Sequence, residues 1–156
     1  MTESTPDFVR RPAADHPGWV SWDLTDQTRF NSQTMGRMLV RQEVLPGGAP
    51  AVRLRMFPEQ RHSNLLDAVH GGVTLALIDI SLFTGIRLIL GADAGGSVTL
   101  DLSTQFIGAG RIGKPLDAVS EVLRETRRLV FIRGVIEQDG HLVAAYNGTV
   151  RKPSVR

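Results

Sequence analysis

After Gly71-Gly72 the chain runs from Val73 to Leu90 with apolar residues almost all the way round a helix. A helix of that kind is covered on most sides, unlike a surface helix with one apolar stripe. It spans about residues 71–90 and stops at Gly91. One carboxylate, Asp79, lies about two turns in. An ionised carboxylate in such surroundings costs several kcal/mol unless a partner compensates it, so its presence points to a structural bond or to chemistry. Ser81, Thr84 and Arg87 also interrupt the apolar run, which reads as a core helix and not as a membrane span.

The cover for this helix comes from strands. Strand patterns are expected at 37–44 and 51–57, separated by Pro46-Gly47-Gly48 turn chemistry, and again at 97–107, 116–125, 128–137 and 141–151. Asp139-Gly140 joins the last two as a hairpin. Val52, Leu54 and Met56 alternate with Arg53 and Arg55, which predicts a buried face and a solvated one. Along 97–107, Val98, Leu100, Leu102 and Phe106 fall on one side and Thr99, Asp101, Ser103 and Gln105 on the other. The order is strand, strand, helix, then four strands expected as a meander. The fold class is α+β, an antiparallel curved sheet wrapped around one long central helix.

The chain divides into an N-terminal arm and short packing element (1–34), a main domain (35–152) and a tail (153–156). The arm carries Pro6, Pro12 and Pro17. Trp19, Trp22, Leu24 and Phe30 then predict an element packed on the body, with a helical turn starting near Thr25. The 156 residues suffice for a buried core, and the absence of cysteine excludes disulfides, thiolate nucleophiles and Cys-ligated zinc. Net charge is only +2, but the basic residues are sixteen arginines against two lysines. Arginine favours an anionic, phosphate-bearing ligand, while its scattered placement gives no nucleic-acid footprint. No charged-then-apolar leader opens the chain, so a cytoplasmic protein without membrane association is expected.

The helix is entered through Asn64-x5-His70-Gly71-Gly72-x6-Asp79. With the polar-alternating strand some twenty residues later, this pattern resembles the hotdog-fold acyl-CoA thioesterases of the PaaI (phenylacetate-degradation) type, in the 4-hydroxybenzoyl-CoA thioesterase superfamily. The resemblance covers roughly residues 35–152. Two departures are Asp67, where many members have glycine, and Gly108-Ala109-Gly110, which replaces an Arg-Pro-Ala-like segment.

The resemblance implies hydrolysis of a thioester to a free acid and coenzyme A. No metal and no cofactor is implied, coenzyme A being part of the substrate. Gly71 and Gly72 open a helix whose first amides are unpaired and whose dipole is positive. Such amides can hold a carbonyl oxygen as charge develops on it, although a plain tight turn would use the same residues. Asp79 is a candidate general base or nucleophile; read alone, it is equally a buried structural carboxylate. Asn64 would donate its amide to the carbonyl or the water, or would simply be a turn residue. His70 would orient Asn64 or the loop. Thr99 matches the family's Ser/Thr that bonds the water or the carboxylate, with Ser97 two residues earlier as the fallback. The resemblance places the nucleotide end of coenzyme A near Arg127, Arg128 and Arg151, which otherwise read as a solvated hairpin tip.

Spacing adds a constraint. Gly71 and Asp79 on one helix are about 12–13 Å apart, too far for both to reach one carbonyl at about 3–3.5 Å. If both act on it, they come from different chains, and a homodimer or homotetramer is expected. A non-catalytic acyl-CoA binding module and a hotdog hydratase or dehydratase are the alternatives.

Overall fold

The computed structural model describes residues 3–4 and 7–154. Its main sheet has seven strands: β1 (Val20–Ser21), β2 (Met38–Val44), β3 (Pro50–Met56), β4 (Val98–Phe106), β5 (Leu116–Glu125), β6 (Leu129–Gln138) and β7 (His141–Arg151). They are ordered β1-β2-β3-β5-β6-β7-β4, every pair antiparallel. The helix α1 (Gly71–Ile89) packs chiefly on β3 and β5. This is the hotdog fold.

The four-strand meander needs correction. Only β5, β6 and β7 form one; β4 lies at the far edge beside β7, and β5 pairs with β3. The helix between β3 and β4 carries the chain across the sheet, so β4 starts away from β3 and the space beside β3 is left for β5.

The ends of α1 follow from local chemistry. His70 is the N-cap, its Nδ1 accepting the Gly72 N–H at 2.9 Å, which satisfies one of the unpaired amides of the first turn. At the other end Gly91 adopts φ 64°, the left-handed stop that glycine makes readily. Between them Leu77, Ile78, Leu82 and Ile86 are fully buried. One buried polar link joins helix and sheet: Ser81 Oγ lies 2.8 Å from the Tyr146 hydroxyl on β7. Burial pushes the Tyr146 phenol well above the usual tyrosine range, and the Ser81 bond only partly offsets this.

The outer face of the sheet is less wet than its alternation predicts. Arg53 bonds Glu43, Asp117 and Glu137, and Arg55 holds Asp117 at 2.7 Å while lying over the Trp19 ring. The acids on the neighbouring strands and the Trp19 indole cover these arginines, which are therefore mostly buried. Burial raises the carboxyl of Glu43, but its bonds to Arg53 outweigh that and hold it below the ordinary value of 4.5. The unfolded chain therefore takes up this proton first as pH falls, and stability declines once pH drops through that value. Replacing Glu43 with Gln is expected to flatten the acid limb of a melting-temperature profile between about pH 5 and pH 3; an unchanged slope would remove Glu43 from the account.

The N-terminal segment is built onto the body. Phe8–Arg10 pairs with Asp23–Leu24 and with Glu3–Ser4 in a small sheet, and Trp19 and Trp22 are buried. The helical turn lies at Asn31–Met35, not near Thr25. Residues 25–29 turn instead around Asp26, whose carboxylate accepts from the Thr28 hydroxyl and amide and from Arg29; these bonds, Thr28 first, bring its carboxyl down to about 2. Buried His62 fastens this segment to the loop before α1. Its Nδ1 accepts the Glu59 N–H, so Nε2 donates to the Thr34 carbonyl, both at 2.8 Å.

Candidate active site

Thr99 reaches Asp79 because β4 is irregular. Asp101 pairs with Thr149 and Thr99 with Val150, leaving Leu100 as an extra residue between consecutive partners. This is a β-bulge, which redirects the side chains on one side of it. Val150 is fully buried, and directly opposed residues share a face, so Thr99 points inward and Leu100 is 54% exposed. The alternation expected along this strand therefore fails at Leu100. The result is a 2.7 Å hydrogen bond from Thr99 Oγ1 to Asp79 Oδ1. Ser97 does not share it; its hydroxyl is buried without a partner among the described residues.

Half-buried Asp79 lines a cavity of about 550 Å³. One wall is the helix itself, through Asp79, Phe83 and Arg87. The N-terminal segment supplies the opposite wall with Phe8, Trp22 and Asn31. Phe83 and Trp22 are its large aromatic lining residues beside Phe8. Ile86 and Leu88 belong to the core instead, and Trp19 lies on the other face of the sheet between Arg41 and Arg55.

Asn64 and Gly71 line a second cavity, of about 370 Å³, with Phe106 and the Gly108–Gly110 segment. Asn64 shapes the loop in front of α1: its Oδ1 accepts from Leu66 N at 2.8 Å and Ala68 N at 3.2 Å. Asp67 takes φ 55° there, a left-handed conformation open to Asp at modest cost and to glycine at none. The departure from glycine thus keeps the loop's shape. Val69 N donates to the Gly110 carbonyl at 2.8 Å, and a Cβ on Gly110 would sit 3.1 Å from the Val69 side chain, so the glycine-rich replacement closes tightly on this loop.

His70 bonds Gly72 and, through its backbone N–H, the His62 carbonyl; it does not bond Asn64. The same contact corrects the expectation for Gly72, whose amide is taken by the His70 ring. The Gly71 amide meets no acceptor among the described residues. Arg127 and Arg128 are exposed in the β5–β6 turn, and exposed Arg151 sits opposite Leu129 and Val98. All three lie at the Asp79 end of the sheet but line neither cavity.

Sequence reading missed Phe8, Arg29 and Arg87 as cavity residues. Arg87 carried a signal, since it follows Asp79 by eight residues on the same helix; Phe8 and Arg29 carried none, because only the fold brings their segment to α1.

A single long helix in a curved antiparallel sheet, with an acid on the helix and one open amide, that of Gly71, at its start, is the arrangement of the hotdog thioesterases. Residues 66–145, just over half of the chain, match the family described as the Thioesterase superfamily. The chain belongs to that family and is a thioester hydrolase. It is 25% identical over 102 residues to acyl-coenzyme A thioesterase 13 of Mus musculus, covering 65% of this chain and 71% of that one. The PaaI protein of the phenylacetic acid degradation operon of E. coli superposes with a TM-score of 0.64 at 15% identity, over 82% of this chain and 87% of that one. Zebra fish thioesterase superfamily member 2 does so with a TM-score of 0.60 at 24% identity, over 73% and 81%. These structural likenesses establish the fold.

Proposed function

We propose that the chain hydrolyses an acyl-coenzyme A thioester to a free acid and coenzyme A, in the cytoplasm and as a homodimer or homotetramer. The observation that carries this reading is the Thr99–Asp79 hydrogen bond at the edge of a cavity. Thr99 occupies Oδ1 and leaves Oδ2 to take a proton from the attacking water. Attack by Asp79 itself is the other route, and label from heavy-oxygen water appearing in the carboxylate during a single turnover would identify it. The Gly71 N–H and the Asn64 side-chain –NH2, whose oxygen is held by the loop, stabilise the developing oxyanion. Arg127, Arg128 and Arg151 face the phosphates of coenzyme A.

Gly71 and Asp79 line different cavities of one chain, separated along α1 by about 12 Å. Two antiparallel helices from two copies bring the amide of one to the carboxylate of the other. The apolar residues exposed on this side, Leu75 on α1 and Val98, Leu100 and Phe106 on β4, suit such an interface. Release of free thiol across a panel of acyl-coenzyme A esters tests the activity. Subunit mixing tests the geometry: Asp79→Asn and Asn64→Ala, each impaired alone, are expected to recover about a quarter of the wild-type sites when subunits exchange at random in a two-fold dimer. No recovery after verified exchange would place each site within one chain.

A further inference from the structure

We infer that Phe8, clamped by Arg87, is the end wall of the acyl site and sets the length of neutral acyl group this enzyme accepts. The inference rests on the assignment of the Asp79 cavity to the reacting thioester. Asp79, Phe83 and Arg87 follow one another at four-residue spacing and form one wall of that cavity, so the cavity runs along α1 toward its C-terminus. At its far end the Arg87 guanidinium lies 4.5 Å from the centre of the Phe8 ring and donates to Asp93 at 3.0 Å. Phe8 also packs at a tilt against buried Trp22, the ring centres 4.7 Å apart, and its strand pairs with Asp23–Leu24. Helix, tryptophan and strand pairing thus all fix the ring beside the Arg87 guanidinium, two turns of the helix beyond Asp79.

The charges in the cavity select against an anionic acyl group. Three carboxylates line it (Asp7, Asp26 and Asp79) against two arginines. Both arginines are engaged, Arg29 with Asp26 at 2.7 Å and Arg87 with Asp93. The remaining lining is dominated by Phe8, Trp22, Leu24, Ile80 and Phe83. A compact uncharged acyl group fits these walls, whereas a long chain meets the Phe8 ring and a dicarboxylic half-ester meets like charge.

The test compares kcat/KM for butyryl-, octanoyl-, palmitoyl- and succinyl-coenzyme A in the wild type, Phe8→Ala and Phe8→Leu. The expected result is a palmitoyl-to-octanoyl ratio at least about tenfold higher in Phe8→Ala, the lower range for a pocket altered by one or more methylenes. A smaller rise is expected in Phe8→Leu, with succinyl-coenzyme A poor in all three. A ratio taken within one preparation is independent of the fraction folded. Hydrolysis with the palmitoyl ratio within twofold of wild type in both variants overturns the inference and leaves the thioesterase assignment standing. If the wild type cleaves none of the esters, that assignment fails at this site. Trp22 fluorescence in a Trp19→Phe background then decides the wall: palmitoyl-coenzyme A must quench Trp22 at least tenfold more tightly once Phe8 is Ala, and equal affinities refute it.

Discussion

Asp79→Asn is expected to lower thioester hydrolysis at least about a hundredfold, the lower range for loss of one general base, while fold and oligomeric state survive. The substitution preserves size, and the amide oxygen can still accept from Thr99, which donates to Asp79 Oδ1 at 2.7 Å in the native site. What disappears is the lone-pair basicity on the other oxygen. The half-buried position argues against a large folding penalty, because a neutral amide is easier to desolvate than a carboxylate. Initial rates of thiol release at saturating and limiting substrate, beside a thermal melt and a sedimentation profile, check the prediction. Near-normal kcat in a verified Asp79→Asn preparation would end the assignment of Asp79 to the chemistry.

Gly134→Ala should do the reverse and damage the fold without touching the site. Gly134 lies mid-strand in β6, opposite Ser120 on β5 and Tyr146 on β7. A Cβ placed there would come within 2.4 Å of the Val119 carbonyl oxygen and 2.5 Å of the Tyr146 hydroxyl. The carbonyl belongs to the sheet and cannot step aside cheaply. If the tyrosine moves, its hydroxyl leaves Ser81, and a buried donor is orphaned. Overpacking at about 1–3 kcal/mol and an unsatisfied buried hydroxyl at about 1–3 kcal/mol together remove a sizeable part of a stability that is typically about 5–15 kcal/mol. At roughly 2–4 °C per kcal/mol for a domain of this size, the melting temperature should fall by at least about 5 °C. A melt within about a degree of wild type would show that the sheet yields here more easily than its contacts imply.

These two positions differ in how legible they were. Asp79 stood out because a lone acid in an all-round apolar helix is anomalous under any fold, and Gly71 and Gly91 marked that helix's limits from local chemistry alone. The Asp139-Gly140 hairpin was equally local, and both residues do take positive φ, 50° and 76°. What escaped the sequence was non-local. The place of β4 beside β7 depends on where the helix delivers the chain. Arg53 and Arg55 read as a wet face because the acids and the tryptophan that cover them lie on other strands. Phe8 and Arg29 become cavity walls only once Phe8–Arg10 pairs with Asp23–Leu24. Gly72 was assigned the role of its neighbour because spacing cannot show that the His70 ring takes its amide.

The kink at Leu100 carries an unexpected corollary for insertions and deletions. A chain lacking Leu100 would still set Thr99 against Val150 and keep its hydroxyl aimed at Asp79, since Leu100 has no partner of its own across the ladder. A chain of native length that zipped into an unbroken ladder would instead swing the Leu100 isobutyl group inward and strand the carboxylate against hydrocarbon. At this point in the edge strand, losing a residue is milder than losing an irregularity.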